Sequence, residues 1–180
     1  MPVEGSPGLT LDFLRHGIAT DPQPDQEDEL RSLTPAGEKR TRQVAQRLKR
    51  LGWQWPIVLT SPLRRAQQTA TIFQEETLTP SVEIFHPLAP GGRFHDLEIW
   101  MQQHPELTGF AVVGHQPDLS RWILSALLGD PIPGESAISE GILLKKAGLA
   151  RVEFREGRHQ PGQLSLLLTP KVLLDDLDSR

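Results

Sequence analysis

Apolar runs too short to be helices alternate along this chain with stretches in which apolar residues recur at helical spacing, and that alternation constrains the fold more than any other feature. Leu9 to Leu14, Ile57 to Thr60, Val82 to Phe85 and Gly109 to Gly114 read as strands. Thr34-Pro35 supplies an N-cap and a first-turn proline for a helix carried by Val44, Leu48 and Leu51 and ended by Gly52. Ser61-Pro62 repeats that signal before a helix through Ala66, Ala70 and Phe73. Phe94, Leu97 and Trp100 mark a third helix, and Leu119, Trp122, Ile123, Ala126 and Leu127 a fourth, closed by Gly129 and Pro131. Leu149 to Phe154 and Gln163 to Leu168 are joined only by the polar Arg155 to Gly162 connection, which predicts an antiparallel hairpin. No repeat, low-complexity tract or linker divides residues 1–180, so the expectation is one α/β domain with a mostly parallel sheet.

In open sheets of this kind, sites gather beyond the C-terminal ends of strands. The runs that end at His16, Ser61 and His115 deliver their next residues to one edge, provided that the three strands are neighbours. The chain has no cysteine, which removes disulfides, thiolate metal sites and a cysteine nucleophile, and directs attention to its 6 histidines. A net charge of -4 argues against a general nucleic-acid binder. Residues 1–10 lack a basic stretch followed by an apolar run, and nothing approaches the ~20 apolar residues of a membrane span, so no membrane association and a cytoplasmic location are expected. Asp21 to Glu29 reads as a solvated acidic loop. The outward face of the first helix carries Lys39, Arg40, Arg42, Arg47, Lys49 and Arg50, a solvated face with docking of an acidic partner as a minor reading.

Arg15-His16-Gly17 lies just past the first strand, where a small residue after histidine permits close approach of backbone and ligand. A neutral imidazole, with a reference pKa of about 6.5, offers a nitrogen lone pair for attack on phosphorus if its other nitrogen is hydrogen-bonded. Arg64 and Arg65 follow Ser61-Pro62-Leu63 in the first turn of a helix, and adjacent helical residues diverge by about 100°, so one of the two faces the edge. An inward guanidinium there joins a helix N-terminus in binding phosphate oxygens. His115, between Gly114 and Gln116-Pro117, is the third such group. A phosphoryl group in flight needs several donors, which these turns supply together.

Leu14-Arg15-His16-Gly17, Leu33-Thr34-Pro35-Ala36-Gly37, Ser61-Pro62-Leu63-Arg64-Arg65-Ala66-Gln67-Gln68-Thr69 and Val113-Gly114-His115-Gln116-Pro117 together resemble the histidine phosphatase superfamily, also called phosphoglycerate mutase-like. The short length, the Leu88 to Gly92 loop and Leu168-Thr169-Pro170-Lys171 resemble its phosphohistidine phosphatase SixA group. The resemblance implies a three-layer α/β/α fold, a metal-independent and cofactor-free hydrolase, a covalent phosphohistidine on His16, and a pocket from Arg15, Gly17, Arg65 and His115. The family's pocket arginine precedes alanine, which selects Arg65 over Arg64. Mutase-like relatives carry a Leu-x-Glu acid after the third strand, whereas this chain has Leu88-Ala89-Pro90.

An alcohol leaving group benefits strongly from a proton donor, and imidazole needs little, so the missing acid fits phosphohistidine on a protein such as a histidine phosphotransfer domain in signalling. A phosphatase of sugar phosphates or other small metabolites is the alternative, and a non-catalytic phosphate-binding module a remoter one. Glu98 and His95 are substitute acids with ordinary surface readings, and Asp118 is expected to cap the fourth helix. His86, His104 and His159 read as surface residues, and Trp53, Trp55, Trp100 and Trp122 as packing groups.

Overall fold

The computed structural model describes residues 8–129, 141–155 and 161–175. Six strands form one sheet: β1 (Leu9–Arg15), β2 (Val58–Thr60), β3 (Val82–Ile84), β4 (Gly109–Gly114), β5 (Leu149–Phe154) and β6 (Gln163–Leu168), in the spatial order β3-β2-β4-β1-β5-β6. The first four run parallel, while β5 pairs antiparallel with both β1 and β6. The predicted hairpin is therefore present, although most of its connection and the expected surface residue His159 lie outside the described residues, as does Pro131.

Both faces of the sheet are covered, which is why β1 and β4 read as near-continuous apolar runs instead of alternating ones. On one face, Leu11, Phe13, Phe110 and Val112 pack with residues of α3 (Phe94–Gln103) and α4 (Asp118–Leu128). On the other, Leu14, Val58, Ala111 and Val113 pack with α1 (Pro35–Arg50), α2 (Arg64–Glu75) and α5 (Pro170–Leu174). This is the expected three-layer α/β/α sandwich of phosphoglycerate mutase-like topology.

Local chemistry explains most boundaries. Thr34 Oγ1 accepts from the Gly37 N–H at 2.9 Å and Pro35 opens α1, as its sequence signal requires. Thr169-Pro170 repeats that arrangement at α5, where Thr169 Oγ1 accepts from Val172 N, a helix to which the sequence reading assigned no boundary. Ser61-Pro62 departs from the pattern: α2 begins at Arg64, its N-cap position is Leu63, and no side chain caps it. Ser61 has a different task, set out below. Trp55 and Trp122 are buried, and Trp53 and Trp100 pack against the two core clusters.

Candidate active site

β4 lies between β1 and β2, with Arg15 opposite Gly114 and Thr60 opposite Val113, so the residues after all three strands emerge side by side. Backbone bonds lock this edge. The His16 N–H donates to Gly114 O at 3.1 Å and the Ser61 N–H to Val113 O at 2.9 Å. From the other side, the Ala147 N–H donates to Arg15 O at 3.0 Å and His16 O at 3.1 Å. Ala147 holds φ at 58°, a left-handed conformation uncommon for a residue with a side chain, and such departures gather at functional sites.

His16 is buried, and its Nδ1 lies 2.7 Å from Gly17 O. A carbonyl only accepts, so Nδ1 carries the proton and Nε2 keeps its lone pair. Burial first, then the neighbouring His115, pushes the His16 pKa down to about 3, against the raising effect of the Gly17 carbonyl. The ring is therefore neutral at pH 7.

Gly17 serves this edge differently from the sequence expectation. A Cβ there would lie 2.3 Å from Thr41 Oγ1, so protein packing, not ligand approach, requires glycine. Its N–H donates to Thr69 Oγ1 at 3.0 Å, and Thr69 in turn donates to Arg65 O at 2.8 Å. With its N–H on Thr69 and its carbonyl on His16, Gly17 is a link between nucleophile and arginine helix, not a free donor.

Arg65 is buried and Arg64 exposed, which resolves the pair as the divergence of adjacent helical positions requires. The Arg65 guanidinium donates to Asp28 O at 2.7 Å and Asp28 Oδ2 at 2.8 Å. Asp28 Oδ1 also accepts from Arg31 at 2.6 Å. The acidic loop is thus more than a solvated segment: its Asp28 to Leu30 turn sets a carboxylate on the arginine to which the motif assigns phosphate. The Arg31 hydrogen bond, followed by that of Arg65, holds the Asp28 carboxyl below the usual carboxylate range despite some desolvation.

The His115 and His16 ring centroids are 5.1 Å apart. His115 Nε2 lies 2.8 Å from Ser61 Oγ, which also accepts from Leu63 N at 3.3 Å. A hydroxyl that accepts from Leu63 and donates to Nε2 satisfies both contacts and leaves the His115 proton on Nδ1. Burial, then Arg65, lowers the His115 pKa to about 4. Ser61 is a site residue that the sequence reading passed over as a helix cap; its place one residue past β2 was the available signal.

Arg15 Nη1 donates to Leu144 O at 3.0 Å. Arg15 Nε, Arg65 Nε and His115 Nδ1 are buried and make no hydrogen bond among the described residues. Buried donors without partners are rare, and three at one edge describe a seat for an oxyanion. Asp118 does not cap α4: its carboxylate accepts from Gly91 N at 3.1 Å and from Arg121 at 3.3 Å, clamping the Leu88 to Gly92 loop to the helix. His95 Nδ1 and Glu98 Oε2 are 3.2 Å apart on α3. His86 is exposed, whereas His104, expected at the surface, stacks on Trp100 with a 4.0 Å centroid separation and is half-buried. Among the described residues no group of three or more metal-ligating side chains occurs, and no helix is long and apolar enough to cross a membrane.

The family model of the histidine phosphatase superfamily (branch 1) matches residues 11–86, the stretch that contains His16, Asp28, Ser61 and Arg65. The chain belongs to this family. An uncharacterized protein of Picosynechococcus sp. is 39% identical over 168 residues, covering 92% of this chain and 99% of the relative. Among solved structures of the superfamily fold, the protein histidine phosphatase SixA complexed with tungstate superposes with a TM-score of 0.75 at 23% identity, covering 92% of this chain and 99% of that one. Phosphoserine phosphatase from Entamoeba histolytica, in complex with 3-phosphoglyceric acid, superposes with a TM-score of 0.64 at 19% identity, covering 92% of this chain and 100% of that one. A histidine phosphatase superfamily hydrolase thus has a site edge built from two neutral imidazoles and two guanidiniums.

Proposed function

We propose that this hydrolase removes the phosphoryl group from phosphohistidine on a protein, through a covalent phosphohistidine on His16. The observation that carries the substrate class is the state of the carboxyl group that, among the described residues, pairs with Arg65. Asp28 is held ionised by Arg31 and Arg65, so at neutral pH it has no proton to donate to a leaving alkoxide. Glu98, the other candidate acid, pairs with His95 on α3.

In the first step the His16 Nε2 lone pair attacks phosphorus and the bond from phosphorus to the substrate nitrogen breaks. The other ring nitrogen of the substrate histidine takes a proton from solvent, with a reference pKa of about 6.5, so imidazole departs neutral without an enzyme acid. Arg15, Arg65 and the His115 Nδ1–H hold the phosphoryl oxygens, and Gly17 and Ser61 fix the two imidazole tautomers. Water then attacks phosphorus on His16, releasing inorganic phosphate and restoring the ring.

The test compares kcat/KM for a phosphohistidine protein, an aryl phosphate and a sugar phosphate, with the quenched enzyme examined for acid-labile, alkali-stable phosphate. Phosphohistidine and aryl substrates are expected to exceed the sugar phosphate by at least about a hundredfold, because each pKa unit of an unassisted leaving group costs up to about tenfold. Equal rates would replace this reading with a metabolite phosphatase. Label that survives His16→Ala would remove the covalent step.

A further inference from the structure

A cationic groove of about 600 Å³ opens beside the phosphoryl seat, lined by Arg15, Ile18, Arg40, Lys145, Lys146, Thr169, Pro170 and Lys171. Among the described residues, five lysines and arginines line it and no aspartate or glutamate does, in a protein whose net charge is -4. Arg40, Lys145, Lys146 and Lys171 form no ion pair among the described residues, whereas Arg31, Arg42, Arg65, Arg121 and Arg151 each have a carboxylate partner. Concentrated unpaired charge of one sign on an oppositely charged protein marks a surface for an anionic ligand.

The groove is joined to the chemistry by covalent and hydrogen-bonded connection. Arg15 belongs to both, with Nη1 on Leu144 O. Lys145 and Lys146 immediately precede Ala147, whose N–H holds the carbonyls of Arg15 and His16. The Lys145 carbonyl accepts from Gly148 N at 2.7 Å, and the Gly148 carbonyl accepts from Arg15 N at 3.1 Å. The segment that presents the two lysines is therefore the same one that clamps the nucleophile's backbone, with the left-handed φ of Ala147 at its turn.

We infer that this groove docks an acidic polypeptide segment flanking the phosphorylated histidine of the substrate protein. The inference rests on the proposed phosphohistidine substrate and adds its recognition element. A polypeptide suits the groove better than a small polyanion for two reasons. Three of its five cations, Arg40, Lys145 and Lys171, are exposed, and the groove is open to solvent, whereas a small polyanion is held best by buried converging groups. Ile18, Pro170 and the aliphatic stems of the lysines line the groove with them, which matches a chain of mixed acidic and apolar side chains.

The experiment uses the whole protein and two phosphohistidine peptides of equal length, one flanked by Asp and Glu and one by Ser and Gly. The acidic peptide is expected to have a kcat/KM about tenfold higher at low salt, expressed in KM, with the advantage shrinking as ionic strength rises. Arg40→Ala with Lys146→Ala and Lys171→Ala should erase that advantage while aryl phosphate turnover stays unchanged, and the Lys146→Arg, Lys171→Arg protein should retain it. Equal KM for the two peptides would overturn the inference while leaving the phosphohistidine reading intact. If neither peptide is hydrolysed, that reading fails, and fluorescence anisotropy with the unphosphorylated acidic peptide still decides the groove: salt-sensitive binding lost in the triple variant supports it. Binding of inorganic pyrophosphate but not of the peptide would assign the groove to a small polyanion and overturn it.

Discussion

Two positions on β1, three residues apart, use buried polarity in opposite ways. Asp12 is fully buried, and each of its oxygens is bound: Arg151 donates to Oδ1 and Oδ2 at 2.8 Å each, and Trp55 Nε1 donates to Oδ2 at 2.6 Å. Trp53 closes the network from above, 3.8 Å from the Arg151 guanidinium carbon. At the strand's end, Arg15, Arg65 and His115 keep buried donors that no described residue satisfies. A closed network holds a structure together, whereas an open one costs stability until a ligand completes it.

Exchanging the two kinds of damage gives the sharpest test of that contrast. Arg65→Ala should lower kcat/KM by about 100- to 1000-fold, the usual loss for a charge-stabilising donor, with a smaller loss of stability than Arg151→Ala because the Asp28 carboxylate it leaves unpaired is open to solvent. Arg64→Ala, on the exposed neighbour, should change kcat/KM by less than about twofold. Arg151→Ala should do the reverse, because it strands a buried carboxylate. Urea unfolding should show a loss of about 3 kcal/mol while the folded fraction keeps its kcat. A catalytic loss in Arg151→Ala at full stability would break the division between the two ends.

Acidity separates the ends further. Burial lowers the His16 pKa to about 3 and the His115 pKa to about 4, against 6.5 for the unfolded chain. Between those values the unfolded state binds more protons, so stability is complete above pH 6.5 and falls as pH drops toward 3. Inorganic phosphate, which favours the protonated rings, should reduce that fall, and His16→Ala should flatten it, both read from the unfolding midpoint against pH. A pH-independent midpoint across this window would show that the rings are not buried neutral.

The smallest effect belongs to Asp28, whose carboxylate sits on Arg65 where a phosphoryl oxygen is expected. Asp28→Asn keeps the shape and removes the charge, so inorganic phosphate should inhibit several-fold more tightly, measured as a competitive inhibition constant at pH 7. Weaker inhibition would mean that Asp28 positions Arg65 for phosphate instead of competing with it.

Much of this molecule is determined by residues close together in sequence. Leu9 to Leu14 and Gly109 to Gly114 read as buried strands because a sheet covered on both faces needs unbroken apolar runs. Thr34-Pro35 places α1 because an N-cap acts over three residues. The same local logic located His16, the Arg64-Arg65 pair and His115, since a strand followed at once by a turn leaves little choice about which side chains reach the edge, and the resemblance to the family's motif selected Arg65 from the pair. What the tertiary structure decided depends on contacts far apart in the chain. Ser61 meets His115 across 54 positions, Arg65 meets Asp28 across 37, and Arg15 meets the carbonyl of Leu144 across 129. No periodicity or cap encodes such pairs, because each arises only when the order β2-β4-β1-β5 brings separate turns together. The acidic loop read as solvent-facing and Ser61 read as a cap for that reason: their partners are absent from any local window, and packing alone supplies them.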